Sequence, residues 1–507
     1  MHTAIPKKKP CSPRFIFFTF IAIVLASSLI LSGCQFSYKP NTALSPTAPK
    51  TKPASTSAAL SSPQPFASPT ERLTAIEVAP DSLQGVQVNF WHPWTGDIGK
   101  QVALLVDEFN QSNLWGIKVN ISEQGSAGSL ADNLDSSLAT STPAPGSTSV
   151  SGAISSPPPD LIAAPIDELA TWQSKNQAIV NLDTYIRDGQ WGLSAADLAD
   201  FPAVYWNQDR LSGQQLAIPA ERSAQVLFYN QSWAESLGFN SPPVTPDDFK
   251  NQACAAAQAN LKDLPWQNNG TGGWLVDTNA LTLISWMQTF GGTLPLVENQ
   301  PYQFNTSQAR DSFTYLRQLF DKGCAWAGKE DLPYDYFASR QAIFFSGPLQ
   351  DILPLADTMA QQKSADHWSI LPFPSLTHKP VLVVSGPSYA ILKSSPRQQL
   401  AAWLFIRWMI QPEHLASLVE ADGSLPVRVS ELDQLSAFKQ RYPQWNLVQQ
   451  WIPVAQTTPP VSSWRQVKPI LEDAGWQTFS SNFTVTQIPQ TLVMLDETIQ
   501  EVLQKNP

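Results

Sequence analysis

The sequence predicts an α/β fold with mainly parallel sheets. Short β-rich runs alternate with segments whose apolar residues recur at helical spacing. The alternation starts near Val86 and returns in the last third, from Val381 to Ile410. The intervals between strands leave room for helical crossovers, which parallel pairing needs.

Residues 86–91 (VQVNFW) read as the first strand. Residues 99–109 follow as a helix, because Val102, Leu105, Val106 and Phe109 share one helical face. A second strand is expected at 117–121 and a third at 160–163 (DLIA). Between them, residues 140–159 are dominated by Ser, Pro, Thr and Gly and are expected to be a disordered surface insertion in a loop. Apolar runs follow at 182–186 and, strand-like, at 225–229. Helices are expected around 246–260, 278–290 and 307–322. Strand patterns return at 381–384 and 389–392, before a strongly apolar helix at 396–410. Residues 431–504 read as helices broken by prolines.

The amino end differs in character. Lys7, Lys8, Lys9 and Arg14 precede an apolar run at 15–31, which closes on Leu31-Ser32-Gly33-Cys34. A basic start, an apolar middle and a small-residue end describe a secretory signal, but ordinary cleavage does not demand a cysteine. Leu-Ser-Gly-Cys resembles a bacterial lipobox, in which the cysteine is acylated with fatty acid such as palmitate and becomes the first mature residue. The alternative is an uncleaved anchor, since about 17 apolar residues lie at the lower edge of what spans a bilayer. In both cases the body lies on the extracytoplasmic face of the cell membrane. Residues 34–82, nearly devoid of large apolar side chains, are expected to form a disordered tether.

Removing residues 1–33 leaves about 474 of the 507, enough for two or three domains. It also takes the formal charge from −10 to about −14, which argues against nucleic acid or anionic lipid as the ligand. The 18 tryptophans are weak support for sugar stacking, because most tryptophans are core residues. With Cys11 in the signal and Cys34 lipidated, Cys254 and Cys324 remain. In an oxidising compartment they are expected to pair, two free thiols being the alternative.

The order of motifs resembles the family 1 extracellular solute-binding proteins, relatives of maltose-binding protein that serve ATP-driven importers. The resemblance runs from about Val86 to Leu503. It rests on Phe90-Trp91-His92-Pro93-Trp94-Thr95-Gly96 and on the helix end Val106-Asp107-Glu108-Phe109-Asn110. Pro159-Asp160-Leu161-Ile162, Leu216-Ala217-Ile218-Pro219 and Leu227-Phe228-Tyr229-Asn230 continue the series. Pro242-Pro243-Val244-Thr245-Pro246 matches a helix start, with Pro246 in place of the usual tryptophan. Phe290-Gly291-Gly292, residues 337–346, Ile370-Leu371-Pro372-Phe373-Pro374, the Ala401-Ala402-Trp403 helix and Gly423-Ser424-Leu425-Pro426-Val427-Arg428 complete it. Two departures stand out: Arg340 lacks the usual small-residue context, and Leu349 stands where an aromatic is frequent.

The resemblance implies two α/β lobes with a ligand cleft between them, in a protein that acts as a monomer. Lobe one would comprise residues 83–220 plus 375–422, and lobe two 221–374 plus 423–507. It implies a receptor that captures a small solute, a carbohydrate first and a polyol phosphate or other small polar solute second, for an ABC permease in the membrane. No cofactor is implied.

In open parallel sheets, ligands sit beyond the carboxyl ends of the strands. That rule and the resemblance select the same loops. Lobe one offers His92, Trp94 and Thr95, then Gln124 and Ser126, then Asp167. The hinge offers Arg222 and Ser223, with Glu221 beside them. Lobe two offers Trp274, Asn279, Leu349 and Gln350, and the returning chain Ser385 and Gly386. Trp94, in a Pro- and Gly-containing loop, is expected to be exposed to the cleft. His92 could instead cap its loop, Asp167 could cap a helix, and Arg222 could pair with Glu221.

A lipid-anchored hydrolase is the rival class. Gly386-Pro387-Ser388-Tyr389-Ala390 approaches a nucleophile elbow, but a strand-like run follows the serine where an elbow needs a helix. There is no P-loop and no His-Glu-x-x-His. His92, His367, His378 and His414 lack metal-ligand spacing, so no metal is expected.

Overall fold

The computed structural model describes residues 76–140, 158–262, 271–295, 297, 299–329 and 332–505. The expected signal at 1–33, Cys34, most of the 34–82 tether and most of the 140–159 insertion lie outside the described residues. The tether expected at 34–82 does not extend to residue 82. Ile76 donates its backbone N–H to Asp188 at 2.9 Å, and Leu83 is wholly buried, so residues 76–82 pack on the folded body. Nor does the expected insertion extend to residue 159: the Pro158 carbonyl accepts from Asn89 Nδ2 at 3.2 Å.

The strands in chain order are β1 (Gln87–His92), β2 (Lys118–Glu123), β3 (Leu161–Ala164), β4 (Arg210–Leu211), β5 (Gln214–Gln215), β6 (Ile218–Pro219) and β7 (Ser223–Asn230). β8 (Gly272–Leu275), β9 (Ala325–Trp326), β10 (Ala342–Pro348), β11 (Trp368–Leu371), β12 (Val383–Ser385), β13 (Ser388–Ile391) and β14 (Gln456–Thr457) follow. Three helices of the first half matter below: α1 (Gly96–Ser112), α2 (Ala127–Thr140) and α3 (Ile166–Asn176).

Two sheets organise the body. The first has the order β2-β1-β3-β13-β6, and the second the order β14-β12-β7-β10-β8-β9, with β11 also on β7. Both sheets are mixed rather than mainly parallel. β1, β2 and β3 are mutually parallel, as are β10, β8 and β9, but β13 and β7 run against their neighbours. The reason lies in the path of the chain. β7 and β13 each enter a sheet directly from the crossing between lobes, at the edge where the neighbouring strands end.

The crossing positions also differ from the expected boundaries. β12 pairs with β7, Ser385 opposite Ser223, so the chain returns to the first sheet at Gly386 and Pro387, not at Ser375. Arg428 and Ser430 still bond Asp200 of the first lobe, so the last crossing falls after Ser430 and not at Gly423. The run at 182–186 contributes to a short helix, Asp183–Arg187. Pro469 does not break its helix, Trp464–Thr478, because Trp464, Val467 and Leu471 are buried along one stripe.

Each sheet has its own aromatic core. Phe90, Phe109, Tyr389, Trp403 and Phe405 fill the first. Phe249, Trp274, Trp286, Phe344 and Trp464 fill the second. The helix Pro246–Leu261 starts on a capping box. Thr245 Oγ1 accepts from Asp248 N at 3.1 Å, and the Asp248 carboxylate accepts from Thr245 N at 3.0 Å. Pro246 is tolerated because it occupies the first helical position. A disulfide joins Cys254 of that helix to Cys324, just before β9. Among the described residues no helix is long and apolar enough to cross a membrane.

Candidate functional site

Strand direction locates the cleft. β1, β2 and β3 end at His92, Glu123 and Ala164, and Ala164 lies opposite Ser388, the first residue of β13. β10 ends at Pro348 opposite Gln225, near the start of β7, with β8 and β9 parallel to it. The carboxyl ends of both parallel sets therefore face the crossings at 220–222 and 386–387. Loops from both lobes converge there.

Arg222 fastens the floor. It is wholly buried, and its Nη2 donates to both Asp209 oxygens at 3.0 and 3.1 Å and to Ser388 Oγ at 3.0 Å. Its Nη1 donates to the carbonyls of Glu221 at 2.8 Å and Pro387 at 2.9 Å, joining the outgoing and returning crossings. Its partner is thus Asp209, not the Glu221 side chain. Gly386 lies so close that a Cβ there would sit 2.3 Å from the Glu221 carbonyl, and its φ of 156° suits glycine.

Glu221 stands between the lobes. It accepts from Trp94 Nε1 of lobe one and, at 2.8 Å, from Gln350 Nε2 of lobe two. Gln350 accepts in turn from the Ser223 hydroxyl. Burial raises the Glu221 carboxyl above the usual range, against the hydrogen bonds of Trp94 and Gln350 and the charge of Arg222. Asp422 is pushed up likewise, by burial and then by Glu221.

The structure sorts the sequence candidates. Trp94, Arg222, Ser223, Gln350, Ser385 and Gly386 meet at the floor. Trp94 is not exposed as expected: it is 6% accessible, edge-on to Phe90 and Tyr389, with its N–H spent on Glu221. Trp274 is wholly buried in the core, donating to Ser346 Oγ at 3.0 Å, and Leu349 is wholly buried. His92 is buried, which lowers its ring to about 4. Ser126 Oγ accepts from Ser129 N at 3.0 Å at the start of α2, and Asn279 caps the helix Ala280–Thr289. Both play local roles. Gln124 is half-buried and holds Asn133 at 2.8 Å, while Thr95 is exposed.

In lobe two the sequence reading named Trp274, Asn279, Leu349 and Gln350 but not Trp476. A pocket of about 440 Å³ opens at the ends of β8, β9 and β10, lined by Asp277, Thr278, Gly328, Ser346, Trp476 and Phe479 among others. Trp476 is 69% exposed, an unusual state for so large an apolar surface. Asp277 accepts from Asn279 N at 2.9 Å, and burial raises its carboxyl.

Of a charged rim, the sequence reading named Asp167 alone. Asp167 lies in the first turn of α3 rather than at its cap, 2.7 Å from Lys468 Nζ. Arg465, on the same helix as Lys468, lies 2.8 Å from Asp135, 3.6 Å from Asp132 and 3.2 Å from Glu168. Burial, then the neighbouring Asp167, push Glu168 up to about 7, against Arg465 and Lys468. The spacing of Arg465 and Lys468, which puts both on one helical face, was the available signal. Among the described residues no cluster of three His, Cys, Asp or Glu side chains could hold a metal.

The family model for bacterial extracellular solute-binding protein matches residues 105–446. No curated sequence matches. The sugar-binding protein MalE from Xanthomonas citri superposes with a TM-score of 0.67 at 17% identity, over 83% of this chain and 100% of its own. UgpB from Mycobacterium tuberculosis, in complex with glycerophosphocholine, gives 0.65 at 16%, over 83% and 98%. The cyclic alpha-maltosyl-1,6-maltose binding protein from Arthrobacter globiformis gives 0.64 at 17%, over 82% and 98%. At these identities the likeness is one of fold.

Proposed function

Because this chain belongs to the bacterial extracellular solute-binding proteins, we propose that it captures a carbohydrate between its lobes and delivers it to an ABC permease. It performs no chemistry on the solute, and the lobes close on it by bending at the crossings. The observation that carries the solute class is the state of the cations at the cleft. Arg222 faces Asp209, Arg465 faces Asp135 and Glu168, and Lys468 faces Asp167. Each is already engaged by carboxylate, which disfavours a phosphate. The exposed face of Trp476 beside Asp277 and Thr278 suits a sugar ring, whose C–H face stacks while its hydroxyls donate to carboxylate. The sugar-binding relatives in the fold comparison agree with this reading. A polyol phosphate is the second reading, supported by the glycerophosphocholine complex of UgpB.

A thermal-shift screen of oligosaccharides, polyols and phosphorylated polyols tests it. A ligand at 100 times its Kd adds about 2.7 kcal/mol to stability. Stabilisation by phosphorylated polyols alone would overturn the sugar reading, and turnover of any hit would overturn the receptor reading. Trp476→Ala is then expected to weaken binding by about 1–3 kcal/mol, taking base–aromatic stacking as the nearest measured analogue. The apo melting temperature should barely move, because the side chain is exposed. Parental affinity in that variant would place the solute elsewhere.

The anchor is part of the same proposal: Cys34 carries lipid and the segment after it holds the body off the membrane. Cys34→Ser is expected to move the protein from the membrane to the soluble fraction with solute affinity unchanged. A variant that stays with washed membranes would reject the lipobox.

A further inference from the structure

The helix Trp464–Thr478 belongs to the second lobe. Trp464, Val467 and Leu471 are buried in that lobe's core, and Glu472 accepts from Ala280 N at 3.0 Å. Yet its first turns reach the first lobe. Arg465 and Lys468 point at four carboxylates there, Asp132 and Asp135 of α2 and Asp167 and Glu168 of α3, within 2.7 to 3.6 Å. Asp135 is held in place by the Trp172 indole N–H at 2.7 Å. Thr171 Oγ1 donates to the Ser462 carbonyl at 3.3 Å beside them.

This contact is built almost wholly from charge. Arg465 keeps 22% and Lys468 32% of their side-chain surface accessible, so solvent and salt reach both. An apolar seal would be indifferent to salt, whereas a partly exposed ion-pair network weakens as the Debye length shrinks. The floor at Arg222, by contrast, is buried and insensitive. The two lobes are therefore joined by the crossings, by a buried apolar cluster that contains Ala416 and Val419 of the first lobe and Ile352 and Leu355 of the second, and by a salt-accessible contact at the rim.

We propose that Arg465 and Lys468 form an ionic latch that clasps α2 and α3 and holds the lobes closed, so that the open–closed equilibrium of the solute-free protein responds to ionic strength. The latch biases closure without touching solute. Salt that opens it raises the fraction of molecules able to admit solute and lowers the residence time of solute already inside. A receptor whose competent state is only partly populated shows an affinity reduced by that fraction.

The test is the distance between spin labels at Ser136→Cys on α2 and Asp473→Cys on the helix Trp464–Thr478, measured without solute. At about 20 mM salt a single short distance is expected, and at about 500 mM a second, longer population, since screening tightens threefold or more over that range. Arg465→Glu with Lys468→Glu should show the longer distance at both salts. Adding Asp132→Arg and Asp135→Arg to that variant should restore the short distance at low salt. An unchanged distance distribution in the parent between the two salts overturns the latch, whether or not the variants fold. The measurement uses no solute, so its failure leaves the carbohydrate reading intact, and a failed carbohydrate screen leaves the latch intact.

Discussion

Arg222→Ala is expected to destabilise the protein by about 3–5 kcal/mol, the loss found when one member of a buried ion pair is removed. The residue has no accessible surface, and neither has Asp209. Truncation leaves that carboxylate in the interior with only the Ser388 hydroxyl, at 2.8 and 2.9 Å, to satisfy it. It also removes the Nη1 bonds to the carbonyls of Glu221 and Pro387, so the two crossings keep only the backbone N–H bonds of Ala220 and Glu221 to Pro387, each 3.2 Å. Chemical denaturation should register the loss as a lower midpoint. The double variant Arg222→Met with Asp209→Leu should recover much of it, because replacing both charges removes the uncompensated ion. A single variant as stable as the parent would mean that the crossings do not depend on this residue.

Cys254→Ala with Cys324→Ala is expected to cost about 4 kcal/mol on the chain-entropy model, given a sequence separation of 70. The bridge ties the helix Pro246–Leu261 to the start of β9, and β9 runs on into Ala327 and Gly328 of the pocket wall. The denaturation midpoint of the oxidised parent should therefore fall on adding reductant, towards that of the double variant. If the midpoint is the same with and without reductant, the bridge contributes nothing to stability.

What could be read from sequence followed from local pattern. The strand near Val86, its following helix and the apolar helix near Trp403 show their period in a dozen residues. The cysteine pairing followed from compartment and count. Strand direction at β7 and β13 was not legible, because it depends on where the chain enters a sheet. The tryptophans make the same point within the site. Trp94 sits among Pro93, Thr95 and Gly96 and reads as exposed, but its N–H partner, Glu221, is 127 residues away. Trp476 lies on an amphipathic helix that also carries the buried Trp464, and no spacing rule tells which indole the pocket leaves bare. Arg465 and Lys468 were overlooked because a cation pair on a helix is usually a solvated face.

The threading of the two sheets bears on how the polypeptide acquires its shape. The first sheet needs β13, and its core needs the helix Pro396–Met409, although β1 lies more than 290 residues earlier. The second needs β14 and the helices up to Lys505. A chain delivered outside the cell amino end first can complete neither half until most of it has emerged. Assembly dominated by such distant pairings is slow. Half-made sheets with unpaired edges would then be open to proteolysis and aggregation during that interval. Early loss by quality control, more than equilibrium stability, is thus where damaging substitutions in β13 should first be felt.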